Sequence, residues 1–255
     1  MDKSKTDEHW DARAKTEEDA NVVNIADVSQ RKLETNFLLK HLDQSQSVLE
    51  AGCGNGFLTN VIRDKVKHVD AFDYAENMIS RAKSEQGEKN NKFFHDNILS
   101  PRHWASQYDT IVCVRVLINL RNLDEQKLAV ENMANSLHKG GKLILIEGYQ
   151  DGFTGLNNLR DKSGLERLQP ASINFYSLVD IMVEFLEMHF EIVDQFHTGS
   201  FDFLTRVVYP TLVGSQNAMG HADFHKKVLR LCENFNPDDL QPLARLRGFL
   251  LAKKN

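Results

Sequence analysis

Glu50 stands two positions ahead of Gly52 in VLEAGCGNGFLT, residues 48–59, where a short apolar run gives way to glycine at 52, 54 and 56. Glycine lets a backbone turn through positive φ and lets a ligand approach it closely. Such a loop after a strand holds a dinucleotide diphosphate when it reads GxGxxG, and a nucleotide triphosphate when it carries GK[ST]. Here Phe57 takes the place of the last dinucleotide glycine, and no GK[ST] follows. An acid at position 50 would repel a diphosphate and suits a positively charged ligand. Asp73, about twenty residues further on, ends HVDAFD, where an acidic side chain can take both hydroxyls of a ribose. These residues predict a cationic ligand that carries a ribose and no phosphate. The competing reading of the glycines is a tight strand–helix turn that binds nothing.

Positioning them takes a sheet with its loops at one edge. Strand-like SVLEA, HVDAFD, NKFFHD, DTIVCVRVL and KLILIE alternate with helix-like FLTNVIRDK, AENMISRAKSE and DEQKLAVENMANSLHK. That alternation predicts parallel βαβ units with helices on both faces. A further helix is predicted from about Val28 to Leu42, where Leu33, Phe37, Leu38 and Leu42 recur at helical spacing. After Glu147 the pattern becomes irregular: a helix over 177–189, the strand FEIVDQF, irregular chain over 200–240 with a helix near 224–233, and a closing strand LRGFLLAKK. The polar first 20 residues, with Trp10 as their large apolar side chain, read as mobile in the absence of a ligand.

In order, VLEAGCGNG, FDYAENMI, HDNI, YDTIVCVRVLINL and KGGKLILIE resemble the successive motifs of class I S-adenosylmethionine-dependent methyltransferases, over residues 45–147. The resemblance implies a Rossmann-like α/β fold: a seven-stranded, mostly parallel sheet with an antiparallel last strand and a helical cap from insertions after strands five and six. It implies S-adenosyl-L-methionine as cofactor and S-adenosyl-L-homocysteine as product. Glu50 would neighbour the methionine amino end, with the backbone of Gly52, Cys53, Gly54, Asn55 and Gly56 along that part of the cofactor. Asp73 would bind the ribose, and Tyr74 and Met78 would lie near the adenine. Asp96 would accept from the adenine amino group, with Asn97 and Ile98 supplying backbone and an apolar wall. Val114 and Arg115 would pass under the methionine moiety; an ion-pair partner is the other reading of Arg115. Trp10 and Arg13 would contact the cofactor from an N-terminal helix, or Trp10 would simply anchor that helix.

The same resemblance divides the chain into a cofactor-covering segment (1–27), a binding core (28–147), and the rest of the sheet with acceptor-binding insertions (148–255). The stretch EGYQDGFTGLNNLRDKSGLERL resembles small-molecule methyltransferases of biosynthetic clusters. Asn157, Arg160, Asn174, Tyr176 and Arg206 are polar groups set among apolar ones, as a pocket lining would be. Arg160 and Arg206 would clamp an anionic acceptor, or brace the cap by ion pairs. Asn119 and Tyr149 are acceptor contacts at strand ends, and His197 and Tyr149 are the candidates for a base. His221 and His225 in GHADFH have metal-like spacing with Asp223 but read as solvated, and Asn119 and Asn122 stand where a Mg²⁺ site would want carboxylates, so no metal is expected.

Bulk properties narrow the class. The 255 residues carry a net charge of -5, with 41% hydrophobic and 26% charged residues. The acidic balance gives no electrostatic reason to expect nucleic acid, and VRVLIN replaces the NPPY-type motif that base methylation would want. Three scattered cysteines, no signal-like N-terminus and no membrane-length apolar run lead to the expectation of a cytoplasmic monomer or homodimer, with no membrane partner. The expected activity is methyl transfer to a small molecule, oxygen favoured, on an anionic or hydroxylated biosynthetic intermediate. The alternatives are N-methylation of an amine or amino sugar, and S-adenosylmethionine binding without turnover.

Overall fold

The computed structural model describes residues 5–16, 27–104, 108–220 and 222–254. Its first half is laid down as the periodicities predict: α1 (Lys5–Thr16), α2 (Val28–Leu39), β1 (Ser47–Ala51), α3 (Phe57–Ile62), β2 (His68–Asp73), α4 (Glu76–Gln86), β3 (Asn91–His95), β4 (Tyr108–Val114), α5 (Leu123–Ser136) and β5 (Leu137–Gly148). Then come α6 (Gln150–Lys162), α7 (Val179–His189), β6 (Phe190–His197), α8 (Gly199–Phe203), α9 (Tyr209–Val213), α10 (Asp223–Asn234) and β7 (Leu246–Lys253). The strand order is β3-β2-β1-β4-β5-β7-β6, with β7 antiparallel to both its neighbours and the other pairings parallel. This is the fold expected from the sequence, cap insertions included. The order reverses between β1 and β4, so a crevice opens beyond their carboxyl ends, where open α/β sheets take ligands.

The strands are apolar on both faces because helices cover both. Leu49, Ile111, Leu143 and Leu145 join Met133, Leu186 and Phe249 in one core cluster, and Val48, Val69, Val112 and Ile144 join Phe37, Ile62 and Phe93 in another.

Three local features refine the sequence reading. The N-terminal segment contains α1, docked through Asn77 Nδ2 donating to Asp11 Oδ1 (2.9 Å) and Arg81 Nη1 to the Ala14 carbonyl (3.2 Å); residues 17–26 lie outside those described. Residues 199–213 are helical throughout, because a π-turn at Leu204–Val208 joins α8 to α9 and shifts the apolar period. The Lys139–Gly141 turn is absorbed into β5, with a register shift between Tyr108 and Thr110 on the paired strand. Among the described residues no helix is long and apolar enough to cross a membrane.

Candidate functional site

The glycine loop closes over the end of β2: the N–H groups of Gly52 and Cys53 donate to the Phe72 carbonyl at 2.8 and 2.9 Å. Gly52 has φ +71°, and a Cβ there would come within 2.4 Å of Val116 Cγ2. Glycine is therefore required at 52 for both conformation and space. The turn carries Asp73 into the loop's centre, where Oδ2 accepts from the Gly54 N–H (2.8 Å) and Oδ1 from the Ala75 N–H (2.9 Å). Each carboxylate oxygen keeps a lone pair for a further donor. Burial raises the Asp73 pKa against those bonds.

A cavity of about 560 Å³ opens over this loop, within the range of small-molecule sites. Its acidic lining is Glu34, Glu50, Asp73 and Glu125, with Arg31, Arg115 and Arg121 also on the wall; its apolar walls include Met78, Ile98 and Val114, and Trp10 covers it from α1. Glu50 is 3% exposed and accepts from Thr59 Oγ1 at 2.5 Å. Burial, with Asp73 nearby, pushes its pKa up to about 8. A buried acid held this far from its ordinary range favours a cationic ligand that would draw the proton off.

At the far wall the backbone is strained. Among the described residues Arg115 is the non-glycine residue with positive φ, +56°, and its N–H donates to the Ile146 carbonyl at 2.7 Å. The turn Leu117–Asn119 follows. Asn119 Nδ2 bonds back to the Arg115 carbonyl (2.8 Å) while Asn119 Oδ1 accepts from Trp10 Nε1 (3.1 Å).

A second cavity of about 320 Å³ shares Arg115, Ile118 and Asn174 with the first. Three arginines face it: Arg115, Arg206 and Arg245. Each is matched by a buried acid, Arg115 Nε to Glu34 at 3.3 Å, Arg206 to Asp27 at 3.1 Å and Arg245 to Asp202 at 2.8 Å. Burial lowers Arg206 to about 10, which leaves it charged at neutral pH. Burial works to raise Asp27, but bonds from His225 and the Gln30 N–H outweigh it, and its pKa is lowered. Tyr176, Asn174 and Phe153 are also on the wall, with Asn174 Nδ2 donating to the Tyr176 hydroxyl at 2.8 Å.

A family model described as a methyltransferase domain matches residues 28–195. The chain belongs to this family. It is 28% identical over 173 residues to a malonyl-acyl-carrier protein O-methyltransferase of Bacillus anthracis, covering 60% of this chain and 62% of that protein. It is 26% identical over 129 residues to ribosomal RNA small subunit methyltransferase A of Mesomycoplasma hyopneumoniae, covering 47% and 48%. The chain thus spans from about half to about three-fifths of the length of these relatives. The N-methyltransferase NodS of Bradyrhizobium japonicum, solved with S-adenosyl-L-homocysteine, superposes with a TM-score of 0.63 at 14% identity over 99% of this chain and 100% of that one, a likeness of fold. The cofactor of the family is S-adenosylmethionine, as the resemblance implied.

Most residues expected around the cofactor line the first cavity: Trp10, Glu50, Gly52, Cys53, Gly54, Asp73, Tyr74, Met78, Asn97, Ile98, Val114 and Arg115. Arg13, Asn55, Gly56 and Asp96 do not. Asn55 turns its amide to Glu85 (3.0 Å). The Asp96 carboxylate, 1% exposed, takes the N–H groups of Asn97 (2.8 Å), Arg102 (3.1 Å) and His103 (2.7 Å), holding its own loop rather than facing the cavity.

Among the acceptor candidates, Asn119 lines the first cavity, Asn174 both, and Tyr176 and Arg206 the second. Three others, and the base candidate His197, are turned elsewhere. Asn157 bonds both ways with the Leu168 backbone, at 3.0 and 2.7 Å. Arg160 donates to the carbonyls of Glu166 and Arg206, so it braces the cap and the clamp of Arg160 with Arg206 does not form. Tyr149 is 1% exposed, edge-on to Phe249, and burial pushes its hydroxyl pKa up. His197 ends the edge strand, accepts from the Gly199 N–H and lines neither cavity; burial lowers its pKa. His225 is buried against Asp27 (2.8 Å), not solvated, and His221 lies outside the described residues. Among those described no cluster of three metal-ligating side chains occurs. Sequence reasoning missed Glu34, Arg245 and Glu147. For Glu34 the signal was present, as an acid on the apolar face of α2, one turn before Leu38.

Proposed function

We propose that this chain transfers a methyl group from S-adenosylmethionine to a small polar acceptor held in the second cavity, with oxygen as the atom methylated. The observation that carries this reading is the junction: the two cavities meet at Arg115, Ile118 and Asn174, beside the strained turn that ends β4. S-adenosylmethionine brings a methyl group already activated on a sulfonium, so alignment and exclusion of water are the protein's task. Glu50 would receive the ligand's ammonium, Asp73 the ribose hydroxyls, and the Met78, Ile98 and Tyr74 side the adenine. Trp10 and α1 would exclude water from above.

Arg206 and Arg245 would hold an anionic group of the acceptor, with Phe153 and Ile118 against its apolar body and Tyr176 and Asn174 orienting it. An anionic oxygen has no proton to lose, which fits a wall rich in cations that, among the described residues, carries no histidine. Asp27 on the same wall favours the second reading, an amine acceptor. Release of S-adenosylhomocysteine, measured with a panel of carboxylates, phenols, hydroxy acids and amino sugars, tests the proposal. Turnover with hydroxylated or acidic members supports it, and turnover confined to amines replaces oxygen by nitrogen.

A further inference from the structure

The group that organises the junction is not on either cavity wall. Glu147, at the end of β5, is 2% exposed. Its Oε1 accepts the N–H groups of Val116 (2.8 Å) and Leu117 (2.7 Å), and its Oε2 that of Ile118 (3.3 Å). These donors open the Leu117–Asn119 turn, directly after strained Arg115. Val116 fills the space that Gly52 leaves empty, Ile118 lines both cavities, and Asn119 receives Trp10. One carboxylate therefore ties down a turn touched by the glycine loop, both cavities and α1.

The geometry points to Glu147 as a positioning residue whose ionised carboxylate holds the turn dividing the two cavities, so that cofactor binding depends on its charge. The inference rests on reading the first cavity as the cofactor site. A carboxylate accepts three N–H donors readily; the protonated acid gives up acceptor capacity and presents an O–H to those same donors. Strain at Arg115 persists only where its surroundings over-determine it. The charged and titratable groups around Glu147 are Cys113 on β4, with Sγ at 3.9 Å, Arg115 after β4, Tyr149 after β5 and Arg247 on paired β7. Burial raises the Glu147 pKa to about 7 against the three N–H bonds and Arg115, so the change falls near neutral pH.

Hydrogen exchange of the Val116, Leu117 and Ile118 amides, measured from about pH 5.5 to 8.5 and expressed as protection over intrinsic rates, reads the tie directly. Protection in the unsubstituted chain should rise about tenfold across a midpoint near pH 7, while E147Q should show low protection without a midpoint. Calorimetric titration at about pH 7.5 should find S-adenosylhomocysteine bound about tenfold more weakly by E147Q. Protection without a pH midpoint in the unsubstituted chain, or unchanged affinity in E147Q, overturns the role of Glu147. Failure of the unsubstituted chain to bind S-adenosylhomocysteine overturns instead the reading of the first cavity. Should E147Q not fold, the protection profile of the unsubstituted chain decides.

Discussion

Glu50 offers the sharpest quantitative test, because its state in the ligand-free cavity differs from the state the ligand needs. Burial holds its pKa near 8, so at pH 7 about nine in ten molecules carry it protonated. An ammonium placed against it favours the carboxylate, so binding must expel that proton. The sign follows: the free protein binds more protons than the complex, and affinity rises with pH until Glu50 ionises unaided. Between pH 6 and 7 the ionised fraction grows about tenfold, and the association constant for S-adenosylhomocysteine should grow by at least that factor, ionisation of Glu147 adding to it. Calorimetry in two buffers of different ionisation enthalpy should find close to one more proton released per ligand at pH 7 by the parent than by the Glu50→Gln chain, in which Glu147 still titrates. The Glu50→Gln chain should bind like the parent near pH 6, where the parent is itself neutral at this position. By pH 8 it should bind at least about tenfold more weakly, without the proton that Glu50 releases. Affinity that stays level from pH 6 to 7.5 with no proton released would refute a cationic group at Glu50.

Three further perturbations separate the parts of the site. Gly52→Ala forces a Cβ to within 2.4 Å of Val116 at φ +71°, and should cost about 2 kcal/mol in denaturant unfolding and abolish cofactor binding. Trp10→Ala removes the bond to Asn119 and the contact with Met78, and should speed S-adenosylhomocysteine dissociation several-fold in stopped-flow measurements while leaving the core's unfolding midpoint in place. Arg206→Ala should raise KM for an anionic acceptor at least about tenfold, whereas Arg160→Ala, which removes a brace on the cap, should lower the unfolding midpoint with KM unchanged.

The fold was legible because strand and helix periods alternate cleanly from Ser47 to Gly148, and because Glu50, the glycines and Asp73 sit at or just beyond the carboxyl ends of the adjacent strands β1 and β2. What escaped the sequence was direction. Tyr149 follows directly on β5, yet its ring enters the core and meets Phe249. His197 ends a strand as expected, but β6 is the outer strand beyond β7, away from the crevice. Asp96 occupies the expected turn and spends its carboxylate on Arg102 and His103. Arg245 and Glu34 reach the site from elements distant in sequence, which no local pattern reveals. The π-turn in Leu204–Val208 hid a helical stretch by displacing its apolar stripe.

The central claim is that the loop behind Glu50 holds S-adenosylmethionine rather than a phosphate-bearing nucleotide. Parallel calorimetric titrations of the unsubstituted chain with S-adenosylhomocysteine and with NAD test it most directly. One site per chain is expected for S-adenosylhomocysteine, in roughly the micromolar range, and no heat of binding with NAD. Saturable NAD binding, with no response to S-adenosylhomocysteine at roughly millimolar concentration, would contradict it.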